Sequence, residues 1–280
     1  MIPTSTHGRP PSRLHRHKTA WVMTMLLAAG GAAAQADGRQ SPINLDTHAV
    51  LRAAATTAVP RYQSDATLRV VNTYDTGRKP ALDKEWATLR ADVPRGSHVT
   101  VDGQRYDLLQ FHFHTPAEHA VDHARSPMEV HFVHLREGAQ PCQPGALLVI
   151  GARILSGASH GELDKIFGLA GLPRDAQAGA VAVPHFDIGR VLPPLTNVWR
   201  YAGSLTAPAA FDTCTLAEGT VAQQLASGIF PMRVTWMVLR DEIEMSAAQI
   251  ARFRSLFEEG NARELQPPVK HEATHALPRG

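Results

Sequence analysis

Gln110-Phe111-His112-Phe113-His114-Thr115-Pro116-Ala117-Glu118-His119, with Glu129-Val130-His131-Phe132-Val133-His134 ten residues further on, is the stretch that decides how this chain is read. Side chains of a strand alternate between its faces, so His112 and His114 share one face while Phe111 and Phe113 share the other. Glu129, His131 and Val133 do the same in the second run. Placed on neighbouring strands, the third imidazole falls within a few ångströms of the first two. Three histidines then converge on one point from a rigid backbone. With no cysteine or carboxylate among them, the trio suits a zinc ion (Zn2+) with an open fourth position, the arrangement of catalytic rather than structural sites.

The flanking sequence makes the first run one arm of a hairpin. His98–Val101 and Gln104–Phe113 are strand-like, and Asp102-Gly103 between them suits a tight primed turn. Thr67–Val71 and Arg233–Leu239 read as further strands, and the nearly unbroken apolar run Ala146–Leu155 as a buried one. Glu162–Leu169 predicts a short helix. A second helix begins with the capping-box spacing Ser246/Gln249, carries Ile250, Phe253 and Phe257 on one side, and is stopped by Gly260. No repeat or low-complexity linker divides the body. The expectation is one mainly β (α+β) domain over residues 37–267 with a few surface helices, and a tail over 268–280.

Length and composition agree with a folded globular body: 280 residues, 44% hydrophobic and 19% charged. The start differs. Arg9, Arg13, Arg16 and Lys18 precede the apolar run Trp21–Ala34, which closes on Ala34-Gln35-Ala36. A basic lead, a short apolar run and an A-x-A site read as a secretory signal over 1–36, too short to span a membrane. Its removal takes away four positive charges and no negative ones, moving the formal charge from +2 to −2. Nothing then points to nucleic acid or to stable membrane insertion as a partner. The expected location is periplasmic or secreted. Cys142 and Cys214 are an even pair that an oxidising compartment permits to bridge; the sequence alone leaves their pairing open.

Gln110–His114, Glu118-His119 and Glu129-x-His131-x-x-His134 together resemble the α-class carbonic anhydrases, in their exported bacterial form. Gln40-Ser41-Pro42-Ile43-Asn44, Tyr201–Thr206, Val234–Leu239 and Asn261–Pro267 extend the resemblance across roughly residues 38–267. It implies a twisted, largely antiparallel ten-stranded sheet with zinc at the foot of a conical cleft. It also implies reversible hydration of carbon dioxide to bicarbonate by a zinc-bound hydroxide. His112, His114 and His131 take the ligand positions. Gln110, Glu129 and the Asn261 carbonyl take the positions that accept the ligands' free ring N–H groups, with His119 beside them. Thr206 and Glu118 match the pair that orients the hydroxide, and Val133, Val149 and Leu205, with Thr206, the surface that meets the substrate.

The chain also departs from that family. Where a proton-relaying histidine is expected, shortly after Leu68–Asn72, it reads Thr73-Tyr74-Asp75-Thr76. Asp75 ionises far too low to relay at neutral pH, so hydration is expected to depend on external buffer; His98 and His123 are the remaining candidates. Ala207 and Ala209 replace usual family residues, and Val221, Leu225 and Ile229 give helical spacing to an insertion after Pro208. Rival motifs are thinner. His112-x-His114-x₃-Glu118 fits half a cupin metal motif, but Tyr106 stands where that motif wants glycine. Gly157-Ala158-Ser159-His160-Gly161 has the nucleophile-elbow pattern of serine hydrolases, though a turn capping a helix explains it as well. A non-catalytic zinc-holding relic is the third alternative.

Overall fold

The structure, a computed structural model, describes residues 40–47, 51–52, 56–73, 87–141, 143–169, 171–208, 223–224, 227, 230–231, 234–267 and 274–276. The leader, Asp75, the helical spacing of Val221, Leu225 and Ile229, and both cysteines lie outside the described residues. Strands are β1 (Asn44–Leu45), β2 (Leu51–Arg52), β3 (Ala58–Arg61), β4 (Ala66–Asn72), β5 (Leu89–Asp92), β6 (His98–Val101), β7 (Gln104–His114) and β8 (Ala120–Val121). There follow β9 (Met128–Arg136), β10 (Leu147–Ser156), β11 (Val181–Phe186), β12 (Val198–Gly203), β13 (Val234–Leu239), β14 (Ile243–Met245) and β15 (Thr274–Ala276). Between them come α-helices α1 (Gly161–Phe167) and α2 (Ala247–Arg254) and two 3₁₀ turns, Ala176–Ala178 and Ile188–Arg190.

The hairpin forms where the sequence places it. Asp102 (φ 50°) and Gly103 (φ 83°) both adopt the left-handed backbone of a primed turn, and β6 pairs antiparallel with β7 from Val101↔Gln104 onward. Pairing then runs along one ten-strand path, β11-β4-β5-β7-β9-β10-β13-β12-β15-β2, with β14 on β10 and β3 on β6. The sheet is therefore largely antiparallel but has thirteen strands rather than ten; its parallel contacts are β10 with β13 and β14, and β15 with β2. One strand, β15, comes from the segment expected to be a tail. A separate parallel pair joins β1 to β8.

A bulge in β7 decides which side chains face where. Register shifts between Leu108 and Gln110, leaving Leu109 as the extra residue, 38% exposed. Before it Tyr106 and Leu108 enter the main core; after it the parity switches, and Phe111 and Phe113 enter the same core. The even-numbered His112 and His114 are thereby turned to the opposite face. Beneath that face lies a second cluster containing Val149, Trp199, Tyr201 and Trp236, with Val133 and Leu205 packed against it. β10 is apolar on both sides because it serves both clusters: Leu148 and Ile150 in one, Leu147 and Val149 in the other.

The helices cover the main core. Ser246 caps α2 through the expected box, its Oγ accepting from the Gln249 amide at 3.2 Å and Gln249 Oε1 accepting from the Ser246 amide at 3.0 Å. The helix stops at Arg254, six residues short of Gly260. Phe257 still reaches the core from the turn that follows. The Gly157–Gly161 turn is a cap for α1, but through His160, whose Nδ1 accepts from the Leu163 amide; Ser159 is exposed.

On the main-core side of β9, His134 is fully buried. Its Nδ1–H faces the Phe132 and Leu148 carbonyls and its Nε2 accepts from Tyr62 Oη at 2.9 Å. Burial lowers its pKa to about 4 against weaker opposing pulls from those carbonyls and Asp107. A depressed histidine binds its proton more readily when unfolded. Its contribution to stability is complete above about pH 6.5 and is lost as pH falls toward 4, on the order of 2 kcal/mol by pH 4.5. Urea unfolding at pH 7 and 4.5 should show the wild type losing more stability than His134→Gln by about that amount; parallel losses would contradict the assignment.

Candidate metal centre

Register brings the two histidine runs together. β7 and β9 pair antiparallel with His112 directly opposite His131 and His114 opposite Glu129. The three rings pack with centroids 4.7–5.2 Å apart, and one nitrogen from each lies within 4.8 Å of the others. His114 and His131 are buried, while Gln110, His112, Val133 and Leu205 are partly open. The trio is thus open to solvent through the partly exposed His112, and this opening has Val133 and Val149 on the β9–β10 side, with Leu205 packed against the same apolar cluster.

Hydrogen bonds choose the tautomer of each ring. Gln110 Oε1 faces His112 Nδ1 at 2.9 Å and the Asn261 carbonyl faces His114 Nδ1 at 3.1 Å. Both are acceptors, so both rings carry Nδ1–H and present a bare Nε2. Glu129 Oε1 lies 3.0 Å from His131 Nε2, so that ring carries Nε2–H and presents a bare Nδ1. His114 Nε2 is buried without any hydrogen-bond partner. Burial lowers His114, and lowers His112 well below its ordinary value with help from His114, His131 and Arg90. Burial also opposes charge on His131, but Glu129 outweighs it and raises that ring. Three converging lone pairs on borderline-soft nitrogen, with outer partners on every ring, are the donor set of a divalent metal such as zinc.

Glu129 joins the centre to the protein behind it. Its Oε1 also meets His119 Nδ1 at 2.7 Å, and its Oε2 accepts from the His119 amide at 2.8 Å. Burial alone would raise this carboxyl; the facing His119 and His131 hold it well below the carboxylate range. His119 Nε2 lies 2.7 Å from Tyr201 Oη, which donates to Ser41 Oγ at 3.1 Å. His119, Glu129 and His131 thus also cluster, but Glu129 is already hydrogen-bonded to both rings.

Glu118 is fully buried beside the trio, its Oε1 3.6 Å from His114 Nδ1 and its Oε2 3.8 Å from His131 Nδ1. The Arg263 amide donates to Oε1 at 2.9 Å, while Oε2 has no partner. Thr206 is buried, 6% exposed, three residues after β12, and no hydrogen bond joins it to Glu118 among the described residues. His98 pairs with Asp107, five residues along β7 from His112 and so on the order of 16 Å away. His123 is exposed in the turn after β8, its amide bonded to Asn44.

Several supporting residues were not singled out from sequence. A Cβ on Gly151 would sit 2.8 Å from Glu129 Oε1, so the glycine clears the space that carboxylate occupies. Gly260 (φ 77°) lets Asn261 approach the Thr115 loop, where a Cβ would meet the Thr115 carbonyl at 2.6 Å. A glycine interrupting a buried strand run marks such close approach, and Gly151 carried that signal. Tyr201, Ser41 and Arg263 stood within the family-like blocks without assigned roles.

Comparison with known proteins agrees with this geometry. Residues 28–217 match the model of the eukaryotic-type carbonic anhydrases. A carbonic anhydrase of Klebsiella pneumoniae is 30% identical over 232 residues, 81% of this chain and 76% of the relative. One from Neisseria gonorrhoeae is 34% identical over 181 residues, 64% of this chain and 60% of the relative. The solved α-carbonic anhydrase of Thermovibrio ammonificans, in complex with the inhibitor sulfanilamide, superposes with a TM-score of 0.64 at 26% identity, covering 85% of this chain and 87% of that one. With the family model matching more than half of its length, the chain belongs to the eukaryotic-type, or α-class, carbonic anhydrases.

Proposed function

We propose that the chain is an exported, zinc-dependent carbonate dehydratase that interconverts carbon dioxide and bicarbonate and passes the proton to external buffer. The observation that carries this is the convergence of the bare nitrogens of His112, His114 and His131, each ring fixed by an acceptor on its far side. Zinc held there supplies a Lewis acid that makes hydroxide available near neutral pH, the established chemistry of the His₃ site in this family. The body over 37–267 carries the activity, after a leader over 1–36 that directs export. No helix among the described residues is long and apolar enough to cross a membrane.

The remaining residues orient and exclude. Glu118 is held by the Arg263 amide with Oε2 left over; in the active enzyme that free oxygen is the acceptor we assign to the Thr206 hydroxyl, a bond not formed in this structure. Thr206, its own proton so committed, can only accept from a neighbouring oxygen nucleophile, which aims a lone pair of that oxygen at the substrate. Val133, Val149 and Leu205 hold carbon dioxide against an apolar surface that offers no stronger bond to water. Asp75 cannot carry the proton outward at neutral pH, which leaves buffer as its acceptor.

Stopped-flow hydration by zinc-loaded residues 37–280 over a buffer series is the direct assay. The rate should rise steeply with buffer; high turnover in dilute buffer would keep the enzyme but refute the missing relay, and no hydration by folded, zinc-containing protein would refute the activity. His112→Ala and His131→Ala should each lose most bound zinc by metal analysis, and full retention in either would break the assignment. Glu129→Gln should weaken zinc by about 10–100-fold in a chelator competition. Thr206→Ala should keep zinc and slow hydration by roughly a hundredfold, whereas an unchanged rate would remove its orienting role.

A further inference from the structure

The flank of the opening across from the apolar one is charged. Arg90 on β5 lies directly opposite His112, and Asp92 opposite Gln110. Leu89 and Ala91 are buried in the main core, so Arg90 and Asp92 leave the sheet on the same side as the trio. The Cβ atoms of Arg90 and His112 are then roughly 5 Å apart. One strand further out, Arg69 pairs with Asp92. Arg90 Nε donates to Asp92 Oδ1 at 2.7 Å, and Arg69 Nη1 to Oδ2 at 2.9 Å. One carboxylate thus serves two guanidiniums and leaves a net charge of +1. The Arg90 side chain is 38% open, and its Nη1 meets no protein acceptor among the described residues.

A cross-strand ladder of this kind is ordinarily a solvated surface feature worth little. Three features set this one apart. A guanidinium keeps its charge at every accessible pH, so it is a fixed cation and not a relay. It stands beside a centre built for a dication, where like charges repel unless an anion lies between them. The flank across from it is Val133, Val149 and Leu205, so an anion in the opening has a charged partner on this side only.

We propose that Arg90, oriented by Asp92 and Arg69, is a small-oxyanion site on the wall of the opening, taking bicarbonate or an anionic buffer such as hydrogenphosphate. An arginine edge fits either oxyanion through two N–H groups. Hydrogenphosphate held there accepts the proton released on hydration and leaves as dihydrogenphosphate, which would supply from outside what the sequence lacks as a built-in relay. The choice of oxyanion rests on the carbonic anhydrase reading; the site itself does not.

The test is titration of zinc-loaded protein with inorganic phosphate, followed by phosphorus NMR line broadening, in wild type, Arg90→Gln and Asp92→Asn at equal zinc content. Arg90→Gln should weaken phosphate roughly tenfold. Asp92→Asn, which frees the guanidinium from its internal partner, should tighten it. Equal affinity in wild type and Arg90→Gln, or the same weakening in both variants, would overturn the proposal, the latter because it would be structural. Bicarbonate that competes with phosphate in wild type makes product an occupant, and its failure to compete restricts the site to buffer; both support an oxyanion site. In hydration assays, the advantage of phosphate over a neutral imidazole buffer should shrink in Arg90→Gln, and an unchanged ratio would count against the site. Loss of hydration in every buffer, with phosphate binding still dependent on Arg90, would refute the activity and leave the site standing.

Discussion

The antiparallel register of β7 against β9 is the constraint on which the rest depends. It sets His112 opposite His131 on one face and Phe111 opposite Phe132 on the other. The phenyl rings stack at 4.8 Å, deep in the main core, with Phe113 and Phe186 against Phe111. A slip of one residue would carry the imidazoles into that core and the phenyl rings into the opening. The hydrophobic effect therefore fixes the geometry of the three histidines: the register that buries the aromatic residues is the one that assembles the trio. The bulge at Leu109 belongs to the same arrangement, since without its change of parity Tyr106 and Leu108 could not share a core with Phe111 and Phe113.

Backbone alone brings the rings together; hydrogen bonds decide what they present. Each ring is tied at its far nitrogen to an accepting oxygen, so each ring in its neutral form presents a lone pair at its near nitrogen. The ties reach deep into the fold. From His131 the chain of contacts passes through Glu129, His119 and Tyr201 to Ser41 near the start of the described body, and from His114 through Asn261 to the Thr115 loop. Gly151 and Gly260 are where the fold gives way so that these ties can form. Of the three buried side-chain atoms without a hydrogen-bond partner among the described residues, two, His114 Nε2 and Glu118 Oε2, lie beside the centre itself; the third is Arg153 Nε on β10. Buried polar groups left open are unfavourable for stability, and the placement of the two beside the centre is that of a binding site.

Much of this was legible in the sequence because alternation is a local property. His112 and His114 announce their common face, as do Glu129 and His131, and Asp102-Gly103 announces the turn that sets β7. The family-like blocks placed Gln110, Glu118 and Asn261 around them, where the structure has them in contact with the rings. What was not legible involves partners distant along the chain. Arg90 gives no sign, read alone, that it will stand opposite His112, because only the β5–β7 register establishes it. The Leu109 bulge is likewise a property of a pair of strands. The early end of α2 leaves the chain free to bring Gly260 and Asn261 to the Thr115 loop, a contact between residues 146 apart. The ten strands implied by the resemblance compare with thirteen in the sheet, and β2, β3, β14 and β15, two to four residues long, are too short for a periodic pattern in the sequence to show.

Register and hydrogen bonding together bring His112 Nε2, His114 Nε2 and His131 Nδ1 to one point that could hold a metal ion, and the proposed function places zinc there. Diffraction from crystals of the zinc-loaded protein, collected on both sides of the zinc absorption edge, tests this most directly. The expected result is a single anomalous peak bonded to those three nitrogens at about 2.0–2.1 Å, with Glu129 still hydrogen-bonded to His131. A peak within the neighbouring His119, Glu129 and His131 cluster, or coordination through the opposite nitrogen of any of the three rings, would contradict it.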